Sequence, residues 1–419
     1  MIKLYQIITN LALPLIRVYL FIRKLRGKED KVRFQERLGK ASIDRPQGFL
    51  IWVHAASVGE SLSILPVIES LNKSLQNIHF LITTGTTSSA NLINSKLPNK
   101  TIHQYIPVDR IPYVKEFLNH WQPNLALWVE SEFWPNLIWQ TKHYCPLILV
   151  NGRVSDKSFI TWQKYKKIIR IILSSFSLCL AQSKQDMERL LYLGANNVKY
   201  YGNIKYDAKP LAYDQAKLAE FKKIIGNRAV FIAASTHAGE EDIIAKTHKK
   251  LKSEYPNLLT ILIPRHPKRK DEIIHQILTY NLIVKIRSEN NIIDNKTDIY
   301  LADTIGEMGI FYRLGEIVFI GGSLIKHGGQ NPLEPARIGV AIITGPYTFN
   351  FAEIITEFRN ANAIIEIANE NALYDTIKLL LSNKQKLEEM KTNALNLVEE
   401  KNGIIGKICE EIKNYMNGK

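Results

Sequence analysis

The stretch "FLIWVHAASVGESLSILPVIESL", residues 49–71, changes period part-way along. Phe49 to Val53 is an unbroken apolar run of strand length. His54, two alanines, Ser57 and Gly59 then supply turn chemistry, and beyond Glu60 the pattern becomes helical. A strand passing through a tight turn into a helix is half of a βαβ unit, and the rhythm recurs. "HFLITTGTTSS" runs into "ANLINSKL", and "LCLAQS" into "KQDMERLLYLG"; "NLALWVES" and "PLILVNGR" are further strands. In the second half "AVFIAAST" leads to "EEDIIAKTHKKLKSE" and "LLTILIPRHP" to "KRKDEIIHQIL", with "DIYLADT", "EIVFIGGSL" and "VAIITGP" as the remaining strands. Buried strands alternating with helices predict two doubly wound α/β domains with parallel sheets. Each strand ends in small or polar residues, where open α/β sheets place their ligand sites.

The 419 residues suffice for two or three domains. The aperiodic stretch 202–214, "GNIKYDAKPLAYD", reads as the linker. The expected division is a leading segment 1–45, an N-terminal domain 46–205 and a C-terminal domain 206–419. Cys145, Cys179 and Cys409 lie far apart, which suits a reducing compartment and excludes a disulfide framework or a cysteine-rich metal site.

The net charge of +15 is uneven: residues 1–45 carry eleven Lys/Arg against four Asp/Glu. A basic end suggests an anionic partner, whether nucleic acid, phospholipid or phosphorylated substrate. The segment is also apolar from Leu4 to Ile22, without a small-residue cleavage site. On a helix Lys3, Asn10, Arg17 and Lys24 form one narrow polar stripe against a broad apolar face. That pattern predicts a helix lying in a membrane interface, with the following "RKLRGKEDKVR" against anionic lipid headgroups. A single span is the second reading, weakened by Pro14 and Arg17; a first helix packed into the domain is the third. No nucleic-acid motif appears, and no nucleic-acid partner is expected.

Several motifs carry chemistry. Ser57 and Glu60 have the spacing of a capping box, so the residues alone read Glu60 as a first-turn cap. Glu130 and Glu132 in "WVESEFWPN" point to opposite sides if the strand continues, or line one mouth if it turns. Arg265 in "PRHPKR" (264–269) ends a strand, a good place for a phosphate clamp or a solvated basic turn. "GEMGIFY" (306–312) reads as a helix opening at Gly306. In "GGSLIKHGGQNPLEPARIG" (321–339) the glycine pairs permit close backbone approach to a ligand. Asn331 then begins a helix with Glu334 in its first turn, placed to accept from ribose hydroxyls beside a bound phosphate.

These last motifs resemble the nucleotide-sugar end of GT-B glycosyltransferases. The ordered set "WVHAASVGE", "TTGTTSS", "YIPVD", "LWVESEFWPNLI", "LVNGRVSDKSF", "GNIKYD", "STHAGEE" and "IPRHPKR", with "ERLGK" at 36–40, resembles the 3-deoxy-D-manno-octulosonic acid (Kdo) transferases along nearly the whole chain. The resemblance implies a GT-B fold with two domains facing across a cleft. It also implies inverting transfer of Kdo from CMP-Kdo to a lipid A precursor in lipopolysaccharide core synthesis, without metal or cofactor. Glu60 would be the general base. Pro264, Arg265, Ile305, Gly306, Glu307, Asn331, Pro332, Leu333 and Glu334 would bind the CMP portion. Glu130, Glu132, Arg153 and Lys205 are acceptor or transition-state candidates, the last two for a sugar carboxylate or lipid phosphates. The expected location is the cytoplasmic face of the inner membrane. A GT-B transferase or epimerase using a UDP-sugar is the alternative, separated from the first reading by its donor.

Overall fold

The computed structural model of the chain describes residues 2–416. The chain divides into two compact units: residues 1–208 with 402–419, and residues 209–401. The first is built on seven parallel strands: β1 (Phe49–His54), β2 (Ile78–Thr84), β3 (Thr101–Tyr105), β4 (Leu125–Val129), β5 (Leu147–Gly152), β6 (Leu178–Ala181) and β7 (Val198–Tyr200). Their spatial order is 3-2-1-4-5-6-7. The second unit holds β8 (Val230–Thr236), β9 (Leu259–Pro264), β10 (Val284–Ile286), β11 (Ile299–Leu301), β12 (Ile317–Ile320), β13 (Ala341–Thr344) and β14 (Ile364–Glu366), in the order 10-11-9-8-12-13-14.

Central strands are buried on both faces, as parallel sheets covered by helices require. β1 is buried from Leu50 to His54 and lies between β2 and β4, with Val53 opposite Ile82 on one side and Leu127 on the other. Trp52 packs on Phe117 and Trp128, ring centroids 4.9 and 5.5 Å away. The strands that periodicity leaves unmarked are β3, β7, β10 and β14, the two outermost of each sheet.

Each sheet reverses its winding once. In the first unit the reversal lies between β1 and β4, in the second between β8 and β12. Loops at such switch points diverge and leave a crevice at the carboxyl ends of the strands. Helix α3 (Val58–Ser74) leaves β1 through the turn that carries Glu60.

Two expectations change. The tail does not stay with the second domain. The last helix, Ile404–Met416, carries an apolar stripe of Ile404, Ile408, Cys409 and Ile412 that needs a face to cover it. It finds that face on the first unit, where the Ile405 N–H donates to Asp207 at 2.6 Å and Lys199 pairs with Glu411 at 2.7 Å. The boundary accordingly falls after Ala208, and residues 402–416 belong with the first unit.

The apolar N-terminus is two helices, α1 (Ile2–Leu11) and α2 (Leu13–Leu25), bent by 62°. Among the described residues no single helix is long and apolar enough to cross a membrane; this bent pair reaches that length only together. The pair is not a core element either. Tyr5 donates to Asp109 at 2.9 Å and Asn136 donates to Thr9, so polar groups of α1 face the protein. Leu4, Ile7, Ile8, Leu11, Leu15 and Val18 are all more than half exposed.

Candidate active site

The first switch point is assembled from the turns after β1 and β4. Ser57 caps α3, its Oγ accepting from the Glu60 N–H at 3.3 Å while its hydroxyl donates to Glu60 Oε1 at 2.8 Å. Glu60 Oε2 accepts from the Ala56 N–H, also at 2.8 Å. The Ser57 half of the capping box read from the sequence is therefore formed, while the Glu60 carboxylate reaches one residue past the cap, to Ala56. Such a cap contributes about 1 kcal/mol and fixes the carboxylate's direction.

Burial raises the Glu60 pKa above the ordinary glutamate range, and the charge of Glu130 raises it further. The bonds from Ser57 and Ala56 pull the other way without cancelling that rise. A carboxylate with a raised pKa that is held in place is suited to accept a proton near neutral pH.

β4 turns at Val129 instead of continuing: Glu130 adopts φ 60°, in the left-handed region. Its buried carboxylate accepts from Lys205 Nζ at 2.7 Å. Glu132 is held through its backbone, its carbonyl accepting from Trp128 Nε1, and burial raises its carboxyl pKa. The charges of both glutamates bear on Glu60. Lys205 is positioned by a buried amide layer. Asn151, at φ 56°, accepts from the Ile204 N–H, and both Asn151 and Asn203 donate to Gln182 Oε1. Asn203 Oδ1 then takes the Lys205 N–H at 3.1 Å. Thus the asparagines of "VNGR" and "GNIK" lock two loops. Arg153 is half-buried, its charge acting on Asp186.

The second switch point centres on a residue the sequence reading did not single out. Glu240 is fully buried after β8. Oε2 accepts from the N–H groups of His237 and Gly322 at 3.0 and 2.6 Å; Oε1 accepts from those of Ser323 and Leu324, both at 3.0 Å. One carboxylate therefore ties the loop after β8 to the loop after β12. The glycine of "GGS" serves this approach: a Cβ on Gly321 would stand 2.5 Å from the Ser235 carbonyl oxygen. The close backbone approach expected here toward a ligand is, at Gly321, an approach to protein. Ser323 Oγ in turn accepts from the Gly345 N–H at 2.8 Å, so the loop after β13 joins the same frame.

Around this frame stand the donor-side candidates. Arg265 begins the loop after β9, its N–H bonded to Thr236 and its guanidinium exposed without a hydrogen bond among the described residues. The preceding Pro264 is buried. Asn331 Oδ1 accepts from the Leu333 N–H at 3.1 Å and Asn331 Nδ2 donates to Glu334 Oε1 at 3.3 Å, so the asparagine caps the turn and orients the glutamate. The helix there is a single turn, Leu333–Ala336, and Pro332 and Leu333 are buried.

One expectation around Gly306 is corrected, and Glu307 has partners within the protein. The helix begins at Met308 and spans one turn, because Gly306 sits at φ 94°. The Glu307 carboxylate is already engaged: Arg287 grips it through two bonds of 2.8 and 2.7 Å and Thr304 donates at 2.6 Å. The Arg287 bond, with Thr304 helping, holds Glu307 down at about 2 against the opposing effect of burial. Its side chain braces the loop, while Ile305 is 89% exposed.

His237 and His327 also escaped the sequence reading; their rings lie 3.9 Å apart, with His266 5.6 Å from His237. Burial, then the charges of His327 and His266, push His237 down to about 4, so it is neutral at physiological pH. Only the spacing of Gly239–Glu240 after a strand, repeating Gly59–Glu60, could have drawn attention to this turn. Among the described residues no group of three or more His, Cys, Asp or Glu side chains is placed to hold a metal ion.

Two doubly wound units, each with a built turn at its switch point, define the GT-B architecture. The chain superposes on a glycosyltransferase from Rickettsia africae with a TM-score of 0.58 at 11% identity, covering 89% of this chain and 100% of that one. It matches a UDP-GlcNAc 2-epimerase from Neisseria meningitidis with the same TM-score at 12% identity, covering 88% and 100%. At those identities the likeness is one of fold.

Sequence is more specific. The family described as 3-deoxy-D-manno-octulosonic-acid transferase (kdotransferase) matches residues 32–208. The chain is 37% identical to the 3-deoxy-D-manno-octulosonic acid transferase of Rickettsia bellii over 99% of its length and 100% of the relative. It is 32% identical to that of Haemophilus influenzae over 98% of both. The chain belongs to the 3-deoxy-D-manno-octulosonic acid transferase family.

Proposed function

We propose that the protein transfers Kdo from CMP-Kdo to a glucosamine hydroxyl of a lipid A precursor, with inversion, in lipopolysaccharide core synthesis. The observation that carries this reading is Glu60: a half-buried carboxylate at the first switch point, fixed by Ser57 and Ala56, with its pKa raised by burial. A sugar hydroxyl is a poor nucleophile at neutral pH. As its oxygen bonds to the anomeric carbon, its proton passes to Glu60, and CMP leaves from the opposite face with the electrons of the broken bond. Arg265, Gly306, Asn331 and Glu334 serve the nucleotide. Pro264, Pro332, Leu333 and Glu307 contribute backbone and shape, since their side chains are buried or engaged. Neither a metal nor a cofactor is assigned a role.

The lipid acceptor implies an enzyme at the cytoplasmic surface of the inner membrane. Supporting this, α1 turns Tyr5 and Thr9 to the protein and its leucine and isoleucine side chains outward, the reverse of an ordinary surface helix. The basic segment offers less free charge than its composition implies. Arg23 pairs with Glu29 at 2.6 Å and Arg33 with Glu36 at 2.9 Å. Lys28 and Lys31 remain exposed toward anionic headgroups.

The test is mass spectrometry of the product formed from CMP-Kdo and a tetra-acylated lipid A precursor, with UDP-sugars as the competing donors. Kdo addition supports the reading; turnover of a UDP-sugar alone would replace it. Flotation with anionic liposomes, comparing the full chain with a chain lacking residues 1–24, tests the membrane contact. Equal flotation of the two would place that contact elsewhere.

A further inference from the structure

A groove of about 640 Å³ runs between α2 and two elements of the first unit, the short 3-10 turn Phe34–Leu38 and the helix Ile111–Trp121 that carries Tyr113. Arg17, Leu20, Phe21 and Lys24 stand three, four and seven residues along from Arg17, so one face of α2 lines it. The polar stripe seen in the sequence, Lys3, Asn10, Arg17 and Lys24, is thus divided between two helices, and its α2 half lies in this groove. The adjoining face of α2 carries the exposed Leu15, Val18 and Ile22, so the groove borders an outward apolar surface. No residue of the turns after β1 and β4 lines it.

The charge in the groove has one sign. Arg17, Lys24 and Lys31 line it and no carboxylate does. The acidic groups of this segment are engaged elsewhere. Glu29 takes Arg23 and Arg37, Glu36 takes Arg33, and Asp30 accepts from the N–H groups of Val32 and Arg33. Arg17 and Lys31 have no hydrogen bond or ion pair among the described residues. Lys24 has only the Phe34 ring, its Nζ 5.0 Å from the centroid. An aromatic face attracts a cation without neutralising it. Three like charges around one cleft repel each other, and an anion among them relieves that repulsion.

We infer that this groove holds one anionic phospholipid of the bilayer, its phosphate among Arg17, Lys24 and Lys31 and an acyl chain along Phe21, Phe34 and Leu38. The inference rests on the membrane contact proposed above and narrows it from a charged face to one built site. The cations call for an anion, and the apolar side chains between them call for a chain attached to it. A free phosphate would leave those side chains wet, and a plain chain would leave the charges unpaired. The volume is of the size that ligand sites have. Because the Glu60 turn takes no part in the lining, the lipid held here is a tether and not the sugar acceptor. A phosphate at this level also sets the depth of α2, with Leu15, Val18 and Ile22 in the acyl region and Lys31 at the headgroups.

Native mass spectrometry of the full-length protein, released from detergent, reads occupancy without catalysis. Delipidated protein is offered phosphatidylglycerol and phosphatidylcholine with the same acyl chains. One phosphatidylglycerol per chain should be retained, roughly tenfold or more tightly than phosphatidylcholine. Glycerophosphoglycerol, the same headgroup without chains, should not displace it even in large excess. Arg17→Glu combined with Lys31→Glu should abolish the preference. Arg26→Glu combined with Lys28→Glu makes the same change of charge on exposed side chains outside the groove, and should leave the preference within about twofold of wild type. Equal loss in the two pairs makes the attraction a general effect of charge and overturns the site. Equal retention of the two lipids, or displacement by the free headgroup, overturns it as well.

The apolar half is tested at Phe21, which is 59% exposed, so Phe21→Ser strips the groove without opening the core. It should weaken retention several-fold and keep the headgroup preference; unchanged retention overturns the placement of the chain. A second copy of the protein is the competing occupant. A dimer that forms without lipid, dissociates in Phe21→Ser and retains no phosphatidylglycerol overturns the inference in its favour. Flotation separates this inference from the membrane reading on which it rests. A full chain that floats equally well with vesicles of either lipid keeps the membrane contact and overturns the site. Retention of phosphatidylglycerol in detergent, by a chain that floats with neither, supports the groove and sinks the membrane reading alone.

Discussion

The turns after β1 and β8 are built alike and used differently. Both place a Gly–Glu pair, Gly59–Glu60 and Gly239–Glu240, just past a central strand at a switch point. In both, a carboxylate oxygen reaches back to a backbone N–H of its own turn, Ala56 in one and His237 in the other. They diverge in what the neighbouring loop offers. After β12 come Gly322, Ser323 and Leu324, whose three N–H groups converge on Glu240. After β4 comes Glu130, a second carboxylate, whose charge raises the pKa of Glu60. The same local motif becomes a brace where its neighbour supplies donors, and a carboxylate with a raised pKa, the base we propose, where its neighbour supplies like charge.

The sharpest way to break this contrast is to remove both carboxylates in turn. Glu60→Ala should lower turnover by roughly a hundred- to ten-thousand-fold and leave CMP affinity close to wild type. Turnover and CMP binding measured on one preparation decide it; a loss below about tenfold would make Glu60 a cap and nothing more.

Glu240→Gln should act in the opposite sense. An amide has one acceptor oxygen and would present an NH₂ group to N–H donors. Leaving even one or two buried donors unpaired costs about 1–3 kcal/mol each. The denaturation midpoint in urea should fall and donor affinity with it, and Glu240→Asp should restore donor affinity only in part. Wild-type stability and affinity in Glu240→Gln would remove the brace.

The charge difference itself is open to titration. Glu60 must be ionised to accept a proton, so kcat/KM rises with pH as Glu60 ionises. Because burial and then Glu130 raise its pKa, this acid limb should lie above the ordinary glutamate range. Glu130→Gln removes one raising cause, so the limb should move to lower pH. A limb that stays in place means that Glu130 does not act on the base.

The smallest effects belong to the donor side. Arg265→Ala and Glu334→Ala should each raise the donor KM by about tenfold, the scale of one charge-assisted hydrogen bond, with kcat little changed. An unchanged KM in either variant removes that residue from the nucleotide site.

The inner strands were legible in the sequence because a parallel strand buried on both faces must be largely apolar, as "FLIWV" and "LALWV" are. The outer strands, among them "TIHQY" and "VKY", were not. An edge strand is short and partly solvated, so it carries no run for periodicity to detect, and only pairing with β2 or β6 defines it. Glu60 was legible as a cap from its spacing with Ser57, and its proposed role as a base rests on the resemblance to the family's motifs.

Glu240 was not legible, because its four partners include three residues more than eighty positions away. The same limit applies to Glu307. The resemblance places it beside Gly306 among the donor-binding residues; that Arg287, twenty residues earlier, grips its carboxylate is visible only in the fold. The local and repetitive part was therefore readable along the chain: two doubly wound α/β units, an apolar N-terminal segment, and the positions of the chemistry-bearing turns. Periodicity and capping act within a few residues, and these features need nothing more. Which carboxylate is left to meet a substrate, where α1 ends and α2 begins, and which unit the last helix covers were decided by tertiary structure. Each depends on the donors, charges or apolar faces that distant segments bring within a few ångströms.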